Sequence, residues 1–170
     1  THVAHQVFDA ARTSYADAFV TLETSFSEIA DASGARAKRG RPLKVFEGRP
    51  QVDLVLWHGD VPVVAIELKR HANWTGVDGD IERVAALVDA YGPRQGGTLE
   101  SGVVGFFIAR GADPDLTKMQ AYYAEVEEII ADWRPDGYAI SRIEPALADT
   151  SLVDAGYADY SLCGLIIAVF

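Results

Sequence analysis

An α/β domain built on a mixed β-sheet is what this sequence predicts, and three observations carry the prediction. Val52 to His58 and Val61 to Arg70 are apolar, β-branched runs split by a short turn, the pattern of a hairpin. Asp80 to Tyr91 has the three-to-four apolar spacing of an amphipathic helix, and Gly102 to Arg110 is the continuous apolar run of a strand buried on both faces. Strands that alternate with helices of this length call for a sheet covered by helices.

Residues 2 to 32 read as helical, as one helix or two, because Val3, Val7, Phe8, Ala11, Tyr15, Phe19, Leu22, Phe26 and Ile29 recur at three-to-four spacing. Ser14 and Ser25, each with an acid three residues on, are candidate restart points, and Gly34 is a terminator. Arg41 to Glu47 reads as the first strand. The hairpin turns at Gly59-Asp60, and this register pairs Asp53 with Ile66, within one position of Glu67. His71 to Gly79 reads as a loop. Asp80 to Tyr91 is stopped by Gly92-Pro93, and Asp115 to Trp133 forms a second covering helix ended before Pro135. Tyr138 to Ile143 and Leu162 to Phe170 complete the strands. No repeat, low-complexity tract or linker interrupts the chain, so residues 1–170 read as a single domain, long enough to bury about 70% of its unfolded surface.

Composition narrows the function. The net charge of −10 argues against a protein that coats nucleic acid by general attraction. The basic residues are nonetheless clustered: Arg36, Lys38, Arg39, Arg41, Lys44 and Arg49 place six of the fifteen within a short stretch just before the hairpin. Such a lobe draws phosphates toward a site, or is simply a solvated loop and edge strand. The single cysteine, Cys163, rules out a cysteine zinc cluster or an intramolecular disulfide and reads as a buried thiol. No apolar run reaches the about 20 residues needed to span a bilayer, and no signal-peptide pattern is visible. The sequence opens on Thr1, which leaves a lost leader unjudged; the expectation is a soluble, cytoplasmic protein.

Chemistry concentrates on the hairpin. Along the second strand Ala65, Glu67 and Lys69 share one face and Val64, Ile66 and Leu68 the other. Two charges on an otherwise apolar strand cost several kcal/mol if buried unpaired, and a bound cation removes that cost. Asp53 and Glu67, with the backbone carbonyl of Leu68, offer the oxygen ligands that suit Mg²⁺ or Mn²⁺. Such a metal acidifies a bound water and stabilises a phosphorane-like transition state, while Lys69 orients the water. The bland reading is that Asp53 accepts hydrogen bonds at a strand start and Glu67 pairs with Lys69.

Pro50-Gln51-Val52-Asp53 followed by Glu67-Leu68-Lys69 resembles the PD-(D/E)xK nuclease superfamily. The likeness covers roughly residues 20 to 110, an acidic helix, three strands, a helix and a fourth strand. It implies a restriction-endonuclease-like mixed β-sheet flanked by helices and Mg- or Mn-dependent hydrolysis of nucleic acid, DNA in preference to RNA. Two residues intervene between Pro50 and Asp53, where the tightest form of the motif has none. The resemblance also implies a glutamate on the first helix that joins the metal site, either Glu23, the favoured choice, or Glu28, which alternatively completes a capping box with Ser25.

Other residues attract bland readings. His71, Asn73 and Trp74 follow the motif and either contact nucleic acid at its mouth or anchor an ordinary loop. Asp78, Asp80 and Glu82 read as helix-start acids favoured by capping and the macrodipole. Glu125, Glu127 and Glu128 read as a solvated helix face, and His2, His5 and His58 lack a second ligand at metal-site spacing. The competing expectation is a noncatalytic module of the same fold with a protein or nucleotide partner. A homodimer is compatible with a site that cuts one strand.

Overall fold

The computed structural model describes residues 2–13, 15–35, 51–69, 74–109, 138–147 and 160–169, with the single positions Ala121, Ala124, Glu125 and Glu128. Helix α1 spans His2–Arg12, strand β1 Ala18–Ser25 and helix α2 Phe26–Ser33. The hairpin follows as β2 (Gln51–His58) and β3 (Val61–Lys69). Helix α3 spans Trp74–Tyr91, a 3₁₀ turn Pro93–Gln95, and strands β4, β5 and β6 span Ser101–Ala109, Tyr138–Leu147 and Tyr160–Val169. Among the described residues the sheet is mixed and six-stranded, in the order β1-β2-β3-β4-β6-β5. Of these described strands only β3 and β4 pair in parallel, and α3 makes the crossover between them.

Helices flank the sheet. Val55 and Leu56 are neighbours along β2 but join different clusters, as alternation requires. Val55 packs with Trp57, Ala65, Ile29 of α2 and Leu87 and Val88 of α3, whereas Leu56 packs with Val63 and with Ala11 of α1. Helix α3 forms because Ile81, Val84, Ala85, Leu87 and Val88 make one buried stripe. It lies close on β4 because Gly102 has no side chain; a Cβ there would collide with Val84 Cγ1. Among the described residues no helix is long and apolar enough to cross a membrane.

Several expectations need correction. The helical reading of residues 2 to 32 fails in its middle, where Ala18–Ser25 is the edge strand β1, paired antiparallel to β2. Phe19, Val20 and Thr21 favour a strand, and the backbone partners and the Phe19–Trp57 stack supplied by β2 outweigh a helical spacing. The restart at Ser25 holds: it caps α2, accepting from the Glu28 N–H at 3.2 Å, and Gly34 ends the helix at φ 69°. Helix α3 begins at Trp74 rather than Asp80, running through Gly76 and Gly79 despite their poor propensity. The strand expected at residues 41–47 and the basic cluster Arg36, Lys38, Arg39, Arg41, Lys44 and Arg49 lie outside the described residues, as do His71 and Asn73. For the helix expected over residues 115–133, the four described positions are helical and exposed, Glu125 and Glu128 among them.

Candidate active site

Turn and strand set the geometry of the hairpin separately. The two-residue turn Gly59-Asp60, with Gly59 at φ 57°, pairs His58 with Val61 and Trp57 with Pro62. A bulge between Leu56 and Trp57 then shifts the pairing by one, to Leu56↔Val64, Val55↔Ala65 and Leu54↔Ile66. Pro62 has no N–H to give the ladder, which is where an irregularity costs least. One step further along, Asp53 stands opposite Glu67, not opposite Ile66 as an unbulged hairpin predicts.

Asp53 shares a face with Val55, and Glu67 with Ala65, so both carboxylates point to the side covered by α3. That face is interior: Glu67 is only 4% exposed. Asp53 Oδ2 accepts the Leu68 N–H at 2.7 Å, which ties the end of β2 to β3. Leu68 therefore contributes its amide to this contact.

Helix α3 supplies the remaining charges. Asp80 is fully buried, and its Oδ2 lies 2.9 Å from Lys69 Nζ. Arg83 Nη2 hydrogen-bonds Asp80 Oδ1 and lies 3.3 Å from Glu67 Oε1. The result is a chain of charges, Asp53, Glu67, Arg83, Asp80 and Lys69. Glu67 Oε1, Asp80 Oδ2 and Arg83 Nε make no aligned hydrogen bond, although both carboxylate oxygens have a cation within ion-pair distance. These are Coulombic contacts rather than directed bonds.

Burial pushes the Glu67 carboxyl up to about 7. The Arg83 guanidinium opposes that rise, while Asp53, Asp80 and a hydrogen bond shared with Asp53 add to it.

Lys69 pairs with Asp80 and not with Glu67, so the simple same-face ion pair is not what forms. Reading Asp80 as a helix-start capping residue is likewise overturned, since it lies inside α3 with its side chain buried. One sequence signal would have found it. Asp80 stands four residues before Val84 and seven before Leu87, on the stripe that faces the sheet.

The two candidate helix acids do not join. Glu23 lies on β1, between the pairs Leu22↔Leu54 and Thr24↔Val52, level with Asp53. Its backbone is left-handed at φ 50°, breaking the alternation of the strand, and its side chain is exposed. Glu28 is exposed on α2 beside its cap. Trp74 opens α3. Among the described residues, no group of three or more His, Cys, Asp or Glu is placed to hold a metal ion. The two strand carboxylates are nevertheless hard oxygen donors, and the buried Glu67 Oε1, without a hydrogen bond, is an atom that a divalent cation would satisfy. No protein-family model, no curated protein and no solved structure matches this chain.

Proposed function

We propose that this chain is a metal-dependent phosphodiester hydrolase of the restriction-endonuclease-like type, a nuclease acting on DNA in preference to RNA. The observation that carries the reading is the level placement of Asp53 and Glu67 on adjacent strands, with Lys69 two residues further on the same face. The antiparallel order β1-β2-β3 and the parallel β4 reached through α3 support the same reading.

Asp53, Glu67 and the Leu68 carbonyl would hold Mg²⁺ or Mn²⁺. When bound, the metal supplies an acidified water and neutralises charge on the attacked phosphate. The protein's own groups do the positioning. The Leu68 N–H fixes Asp53 Oδ2 and so holds the carboxylate beside Glu67. Asp80 holds the Lys69 ammonium at 2.9 Å, and Lys69, 22% exposed, would orient the attacking water and meet the phosphate. The basic run from Arg36 to Arg49, which precedes the hairpin in the sequence, would draw nucleic acid toward carboxylates that otherwise repel it.

A second reading has one observation in its favour. Arg83 already supplies a positive charge at Glu67, so a noncatalytic domain binding a protein or nucleotide partner needs no metal. Mn²⁺ titration by calorimetry on the wild type and Asp53→Ala, with cleavage of plasmid and single-stranded DNA followed on the same samples, separates the two. Wild-type binding that the substitution removes, together with cutting, upholds the nuclease. Absence of both binding and cutting favours the noncatalytic domain.

A further inference from the structure

The cation of α3 lies where the proposed metal would act. Arg83 Nη2 is shared between two acceptors that hold it unequally. It makes an aligned hydrogen bond to Asp80 Oδ1, but faces Glu67 Oε1 at 3.3 Å with no hydrogen bond. Its anchor is therefore Asp80, three residues back on its own helix, and its hold on Glu67 is Coulombic alone. Releasing Glu67 breaks no directed bond, and the guanidinium keeps its hydrogen bond to Asp80 after release.

We propose that Arg83 is a positioning residue that acts as the exchangeable countercharge of Glu67, occupying Glu67 Oε1 in the metal-free protein and withdrawing onto Asp80 when a divalent cation binds Asp53 and Glu67. The proposal rests on the metal-binding reading above. Its physical basis is that the ionised Glu67 carboxylate, buried as it is, is costly without a cation beside it. An internal guanidinium keeps the site assembled without metal, at the cost of competing with it. Asp80 then has two tasks: it anchors Arg83 and it holds Lys69.

The test uses the full chain. Arg83 Nε–Hε is followed by ¹⁵N NMR during addition of Mg²⁺, and Mn²⁺ affinity is measured by calorimetry for the wild type, Arg83→Gln and Arg83→Lys. Mg²⁺ is expected to move the Arg83 resonance in the wild type and to leave it unmoved in Asp53→Ala. Arg83→Gln is expected to bind Mn²⁺ about tenfold more tightly, the scale of an ordinary coupling between two sites. Arg83→Lys, which keeps a cation beside Glu67, stays near the wild type. Wild-type Mn²⁺ binding with equal or weaker binding in Arg83→Gln overturns the exchange and leaves the metal reading standing. No Mn²⁺ binding in any of the three proteins overturns both. Should Arg83→Gln fail to fold, an unmoved Arg83 resonance in a wild type that binds Mg²⁺ overturns the exchange by itself.

Discussion

Asp53 and Glu67 stand level on adjacent strands because a bulge lies between them and the turn. The turn alone pairs Asp53 with Ile66, and the one-residue shift at Leu56 and Trp57 replaces that partner with Glu67. A shift of one residue also exchanges faces across a strand pair, so the bulge decides whether the two carboxylates meet.

The stability of the protein should depend on the ionisation of Glu67. Its carboxyl is raised to about 7 in the fold, so the folded state favours the protonated form. That contribution is fully present below the ordinary carboxylate range and is lost as pH rises through about 7. Between pH 5 and pH 8 the wild type is expected to lose up to about 3 kcal/mol relative to Glu67→Gln. Chemical denaturation of both proteins at the two pH values measures this. An unchanged difference between them would falsify the burial effect.

Asp53→Ala and Lys69→Ala are expected to abolish DNA cleavage while leaving the far-ultraviolet circular dichroism of the wild type intact. Asp53 lies half-buried near the start of β2 and Lys69 half-buried at the end of β3, so neither substitution opens the core. Cleavage that persists in either purified variant removes that residue from the mechanism.

Asp80→Ala removes the buried partner of both Lys69 and Arg83, leaving the nearly buried guanidinium to Glu67 alone. A loss of about 3 kcal/mol in unfolding free energy is expected, the scale of breaking a buried ion pair from one side. A helix-start capping acid would cost about 1 kcal/mol instead, so equilibrium denaturation discriminates between the two roles.

Gly102→Ala places a methyl group against Val84 Cγ1, where α3 crosses β4. The expected cost is about 2 kcal/mol, as for other overpacked cores. Adding Val84→Ala should recover part of it; a double variant that is only additively worse would show that the contact at Gly102 is not the cause.

Glu23 carries a left-handed backbone with an exposed side chain, so Glu23→Gly should stabilise the protein by about 1 kcal/mol. Because Glu23 lies outside the carboxylate pair, its removal should leave cleavage unchanged. A thermal melt and a cleavage assay on one preparation check both points, and lost cleavage would return Glu23 to the site.

The sequence by itself determined the parts that depend on local chemistry. Period-two alternation and the glycine turn specified the hairpin, the apolar stripe from Ile81 to Val88 specified the core of α3, and Ser25 and Gly34 specified where α2 starts and stops. The acid-x-lysine spacing put Glu67 and Lys69 on one face, since alternation along a strand needs no partner. Tertiary structure decided the rest. Ala18–Ser25 became a strand because β2 offered it a ladder, against its helical spacing. The bulge at Leu56 and Trp57 and the burial of Asp80 both arise from the packing of one element on another. Register and ion pairing across elements depend on which surfaces meet: the hairpin register brings residues 53 and 67 together, and residues 80 and 83 reach 67 and 69 only once α3 has closed over the sheet.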